Sequence, residues 1–234
     1  TNRKPAQGGL DQETLDRAMF RARNLLRTRY RAVTPSDYEY VTREAFPRQI
    51  ARVRCLQTRL ESEPGRPVPG QVYVIVVPSL PDEEAAGYIP LSRLALSDEL
   101  RDALNEHLDK RRLLTTELQV RQAGYKRVRV QAQVAARPGV DERRLERDII
   151  AALQRFINPL RGGPDGTGWP FGRELYLSDL YVCVQRVPGL MNVQNIDMYW
   201  LDEDDRAQRS ERSIDLLAHE VFVSDIHRVN VRSE

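Results

Sequence analysis

From Arg127 to Val134 the side chains alternate without a break. Val128, Val130, Ala132 and Val134 fall on one parity, Arg127, Arg129, Gln131 and Gln133 on the other. A period of two belongs to a strand, so this segment has one buried face and one wet face. Pro138-Gly139 then turns the chain. Asp141 is placed to cap a long helix with Leu145, Ile149, Ala152, Leu153 and Phe156 on its inward side, and Asn158-Pro159 stops it.

The first half reads as a second set of elements. Asp11 caps a first helix with Leu15, Ala18, Ala22 and Leu25 on one face, and Arg27 to Val33 reads as extended. Thr34-Pro35 is a strong helix start, with Thr34 as cap and Pro35 at the first helical position. Tyr38, Val41 and Ala45 form that helix's apolar face, and Pro47 ends it. Ile50 to Thr58 alternates as a strand, and Glu61 to Gly70, rich in Pro and Gly, is a loop. Val72 to Val77 is continuously apolar, as expected of a central strand covered on both faces. Ser97 caps a helix reaching about Arg111, with Leu100, Ala103, Leu104 and Leu108 inward, and Glu117 to Arg121 is a further strand. Strand, helix, strand, strand, helix, strand over Tyr30 to Arg121 is the ferredoxin-like order.

After the long helix comes a glycine-rich loop, Arg161 to Gly172. A short helix from Ser178 ends at Pro188-Gly189, and Val193 to Trp200 is a strand with Ile196, Met198 and Trp200 on one side. The acidic turn Asp202 to Asp205 precedes a tail with short strands at Glu220 to Ser224 and Arg228 to Val231. The expected class is α/β of the α+β kind, in two small mixed modules. The boundaries are an N-terminal helical segment 1–28, a first module 29–122, a second 123–201 and a β tail 202–234.

Composition bounds the function. At 234 residues, with 41% hydrophobic and 30% charged side chains, the chain can bury adequate cores. No apolar run approaches the roughly 20 residues of a membrane helix. The chain opens on Thr1 with no apolar leader behind it, which reads as a processed chain or the C-terminal part of a longer one. Net charge is only +2, and Lys occurs only at Lys4, Lys110 and Lys126, so Arg supplies 33 of the 36 basic residues. GC-rich codon usage or a surface built for planar contacts with carboxylates would each produce this. Cys55 and Cys183 lie far apart among apolar residues and read as buried free thiols.

Sites for chemistry are weakly supported. His107, His219 and His227 show no metal-ligand spacing, and His107 sits three residues after Leu104 on an amphipathic helix, where packing explains it. Gly162-Gly163-Pro164-Asp165-Gly166-Thr167-Gly168 lacks the Lys-Ser/Thr of a phosphate loop and follows a helix rather than a strand. Its structural reading is a set of tight turns anchored by burial of Trp169 and Phe171, and its interface reading uses the same aromatics as binding anchors. Ser178-Asp179 and Ser224-Asp225 lack a histidine in a recognisable triad order. Lys126, Arg127 and Arg129 give one strand a basic face, so an RNA- or nucleic-acid-binding α+β module is the alternative reading, although the aromatic RNP pattern is missing.

Four separated blocks carry a resemblance. Arg29-Tyr30-Arg31-Ala32-Val33-Thr34-Pro35-Ser36-Asp37-Tyr38-Glu39 is the first. Leu113-Leu114-Thr115 leading into Tyr125-Lys126-Arg127-Val128-Arg129-Val130 is the second. The third runs from Gly162 through Gly168-Trp169-Pro170-Phe171-Gly172-Arg173 to Leu177-Ser178-Asp179-Leu180-Tyr181 and Val187-Pro188-Gly189, and the fourth is Glu220-Val221-Phe222-Val223-Ser224 with His227. In this order they resemble the J-like baseplate assembly proteins of contractile phage tails and extracellular contractile injection systems, and more distantly of type VI secretion.

The resemblance implies a structural wedge subunit, not an enzyme, with no catalytic residues, cofactor or metal. It implies sixfold rings of wedge copies around a central hub and spike, helping to start the sheath. Implied partners are same or paralogous wedge subunits, a lysozyme-like sheath-initiator wedge protein, and the hub; no membrane insertion and no nucleic acid are expected. Assembly would occur in the bacterial cytoplasm before incorporation into a particle. Expected interface residues are Arg17 and Arg21 on the first helix, Trp169, Phe171 and Arg173 on the glycine-rich loop, and His227 in the tail.

Overall fold

The computed structural model describes residues 14–28, 31–57, 70–202 and 204–233. Helix α1 spans Leu15–Thr28 and helix α2 spans Pro35–Ala45. The expected start of α2 is present in detail. The Thr34 Oγ1 accepts from the Asp37 amide, and Asp37 Oδ2 accepts from the Thr34 amide at 2.9 Å. This capping box satisfies donors that a helix end otherwise leaves open. The Asp11 cap and most of the Glu61 to Gly70 loop lie outside the described residues.

Strands β1 (Ile50–Leu56), β2 (Gln71–Pro78) and β3 (Glu117–Gln122) form one sheet in that order. β1 and β2 are antiparallel, whereas β3 returns parallel to β2 after helix α3 (Asp98–Asp109). The central, continuously apolar strand is β2, as its sequence requires. Its two faces serve different cores. Val72, Val74 and Val76 pack with Tyr38, Val41, Leu104 and Leu108 under α2 and α3. Tyr73, Ile75 and Val77 face Ile89, Leu94, Val221 and Val223. Each large side chain so buried contributes roughly 1.5–3 kcal/mol.

The α+β class holds, but the ferredoxin-like order is corrected. It needs a strand before α2; instead α1 continues through Thr28, and residues 31–33 are irregular. The Arg27 to Val33 stretch places Arg at every second position as far as Arg31, yet at its start the continuing helix prevails over that local pattern. Ala103, expected inward on α3, is exposed, while Leu104 and Leu108 are fully buried.

The second sheet is built on β4 (Gly124–Ala136), the strand whose alternation is so plain. Val128, Val130 and Val134 are fully buried. β4 pairs antiparallel with β6 (Leu190–Leu201), which pairs with β7 (Ala207–Ser210). Along its other edge, β4 carries two strands end to end, both parallel: β9 (Glu220–Ser224) beside residues 124–128 and β10 (Arg228–Ser233) beside residues 131–136. The C-terminal strands therefore belong to this sheet. A small pair, β5 (Leu175–Tyr176) with β8 (Ser213–Ile214), lies apart from it.

Helix α4 (Glu142–Phe156) covers the sheet, capped by Asp141, whose Oδ1 accepts from the Arg143 and Arg144 amides. Leu145, Ile149 and Leu153 are its fully buried stripe. Helix α5 (Leu177–Gln185) packs alongside with Leu180 and Val184.

Candidate functional site

The glycine-rich segment after α4 joins the two sheets. Asn158 starts it. Its buried side chain donates to the Ala85 carbonyl at 2.9 Å, beside the first sheet, and its Oδ1 accepts from the Leu160 and Arg161 amides. The Asn158 carbonyl accepts from the Gly162 and Trp169 amides, both at 3.0 Å, which folds the loop back on the helix end. From the other side, Arg52 on β1 donates through Nη1 to the carbonyls of Pro159, at 3.0 Å, and Trp169. Its guanidinium also lies 5.0 Å from the ring centroid of Phe171. Burial, with Arg43 nearby, lowers the Arg52 pKa to about 10, so it stays charged at neutral pH.

Trp169 is fully buried. Its Nε1 donates to the Arg173 carbonyl at 2.9 Å, and its ring meets Phe156 and Phe222 edge-on at 5.4 and 5.3 Å. Edge-to-face pairs like these contribute roughly 0.5–1.5 kcal/mol beyond area burial. Of the two readings of this loop, the burial reading is the one realised for Trp169. Within the chain its side chain is spent on the loop's own packing, with no exposed surface. Phe171 is half-buried against Arg52, and Arg173 is exposed.

The glycines are required by space. A Cβ on Gly162 would lie 2.4 Å from the Phe156 carbonyl oxygen, and one on Gly168 would lie 2.4 Å from that of Pro159. The loop amides are turned inward: Gly162 to Asn158, Gly163 to Phe156, Gly166 to Gly163 and Gly168 to Gly162. Amides used this way do not form a phosphate cradle.

A second polar cluster was not legible in sequence. Ser224, Asp225 and His227 are all buried against β4. His227 Nδ1 accepts from the Val130 amide at 3.1 Å, and its Nε2 lies 2.7 Å from Ser224 Oγ. Asp225 holds Arg129 through two contacts at 2.8 and 2.7 Å. Serine, histidine and aspartate are thus neighbours, as in a hydrolase triad, but the proton positions are wrong. With Nδ1 accepting from a main-chain amide, Nε2 must carry the hydrogen and cannot accept one from Ser224. Burial also lowers the His227 pKa to about 4, partly offset by Asp225. The cluster ties the junction of β9 and β10 to β4. Within the chain His227 is only 4% exposed.

The basic face of β4 is also engaged within the chain. Arg127 pairs with Asp205, Arg129 with Asp225, and Lys126 lies 3.7 Å from Glu220 and 5.4 Å from the Trp200 ring centroid. Cations paired in this way are poorly placed to release counterions from a nucleic acid. His107 packs edge-on against Phe46 at 5.5 Å, the packing role expected of it. Arg21 is exposed on α1, where its carbonyl accepts from Tyr40; Arg17 lies on the same helix. No described helix is long and apolar enough to cross a membrane.

No protein-family model matches the chain, and no curated protein matches it in sequence. Among solved structures, 19 chains match. One is a chain of the cryo-EM structure of the anti-feeding prophage baseplate, sixfold symmetrised, with a TM-score of 0.65 and 20% identity. The match covers 94% of this chain and 43% of that one, so this chain spans less than half the length of its structural relative. Over nearly its whole described length, this chain thus shares its fold with a chain of the anti-feeding prophage baseplate.

Proposed function

We propose that this chain is a structural subunit of the baseplate of a contractile tail-like machine, a phage tail or an extracellular contractile injection system. The observation that carries the reading is the fold shared over 94% of the chain with the anti-feeding prophage baseplate. Its finer form is a wedge subunit, arranged in a ring around the central hub and helping to initiate the sheath. The partners are then further wedge copies or paralogues, a lysozyme-like sheath-initiator protein, and the hub with its spike. The residence is the assembled particle, after assembly in the bacterial cytoplasm. The role is mechanical and involves no reaction of its own.

The internal architecture supports this role. Arg52, Asn158 and the core around Tyr73 and Val221 fasten the two sheets by buried contacts. A close-packed body transmits load because its interior cannot shear without opening voids. Arg17, Arg21, Phe171 and Arg173 remain contact residues in this reading. The test is cryo-EM of tail-like particles from the native source, with the gene deleted in a parallel strain. Density fitting this fold in the baseplate, and loss of sheathed particles on deletion, are expected. Intact particles in the deletion strain would reject the reading.

A further inference from the structure

The ends of α4 and α5 and the glycine-rich loop enclose a surface groove of about 420 Å³ that the junction itself does not use. Its floor includes Ala152 and Val182, and Val182 is 47% exposed although it is aliphatic. Arg155, Arg161 and Arg186 stand around it. Arg161 is paired with Asp82, whereas Arg155 and Arg186 are in no ion pair among the described residues. One carboxylate, Asp179, lines the groove, and its Oδ2 accepts from the Tyr176 amide at 3.3 Å.

We infer that this groove docks a short segment of a partner protein in which acidic and aliphatic residues are interleaved. Charge complementarity selects the sign: two unpaired guanidiniums flank a floor that an aliphatic side chain can cover. The apolar floor selects a peptide over a bare phosphate or a nucleic acid backbone, neither of which would cover Val182. The inward-turned amides of Gly162, Gly163, Gly166 and Gly168 point the same way, because they leave recognition to the arginine side chains. The loop wall is preformed, so little ordering cost falls on binding. This inference goes beyond the baseplate reading and does not rest on it.

The test is fluorescence anisotropy of the chain with a fluorescein-labelled peptide alternating glutamate and leucine, at about 0.15 M salt. The expected result is saturable binding, weakened at least about tenfold in the double variant R155E/R186E. Val182→Glu should weaken it as well, and the milder R155Q/R186Q pair covers the case in which charge reversal disturbs folding. The control R144E/R147E changes charge equally on exposed α4 positions outside the groove and should leave binding unchanged. Four outcomes would overturn the inference. They are absence of binding, equal loss in the control pair, competition by inorganic phosphate or oligothymidylate as strong as by unlabelled peptide, and groove-dependent self-association in sedimentation.

Discussion

Arg52 donates to the main-chain carbonyl of Trp169, a residue 117 positions further along the chain. A cationic side chain from an edge strand of one sheet thereby closes the loop that leads away from the other sheet's principal helix. The same guanidinium serves Pro159 and lies near Phe171, so three loop positions depend on one residue.

Replacing Arg52 with methionine keeps the length of the stem but leaves buried carbonyls without a donor. The expected loss is about 2–4 kcal/mol, in line with the cost of unsatisfied buried groups and lost charged hydrogen bonds. Arg52→Lys should recover only part of it, because an ammonium lacks the planar fork. Chemical denaturation of the three proteins measures this, and equal midpoints would refute it.

The loop glycines separate two kinds of constraint. Gly162→Ala places a Cβ against main-chain atoms at 2.4–2.6 Å, and these cannot yield without moving the helix end. A loss of at least about 3 kcal/mol is expected. Gly166 has φ +68° but open space around it, so Gly166→Ala should cost only about 1 kcal/mol, the left-handed backbone penalty. Thermal melts of the pair would reveal the difference.

His227 sets a pH dependence. Its pKa is about 4 when folded against an ordinary value near 6.5, so between these values the unfolded chain binds the extra proton. Stability therefore falls as pH drops from about 6.5 toward 4, by up to about 3 kcal/mol. His227→Asn can still accept from the Val130 amide but cannot titrate. Its melting temperature should be lower at neutral pH, yet the gap to the parent should narrow steadily on acidification. A constant gap would contradict the buried neutral imidazole.

Burial pushes the Cys55 thiol up to about 12 and the Cys183 thiol to about 11, the latter moderated by Arg186 and Arg155. At pH 8 neither is appreciably thiolate, the form that reacts. A thiol reagent should label the folded chain slowly, Cys183 before Cys55, and both at once in denaturant. Fast labelling of Cys55 under native conditions would show that its core is open.

Much of the secondary structure is local chemistry and could be read locally. Thr34-Pro35 and Asp141 announce helix starts through hydrogen bonds made within a few residues. The β4 alternation and the apolar run of β2 encode one-sided and two-sided burial. The partners of these elements are not local. Nothing in Arg228 to Ser233 says that it lies parallel to Gln131 to Ala136, and nothing in Val130 says that its amide meets His227. Trp169 and the glycines around it were visible as tight turns anchored by burial, but its partner Arg52 is an ordinary member of an alternating strand until the fold closes.

The two parallel strands laid end to end along β4 have a mechanical corollary. Tension between the first sheet and the C-terminal end of β10 would travel through β3 into the start of β4, then across the β4–β10 seam. Because those strands run the same way, the ladder from Arg228–Gln131 to Ser233–Ala136 would be stressed in shear, its bonds sharing the force together instead of peeling one after another.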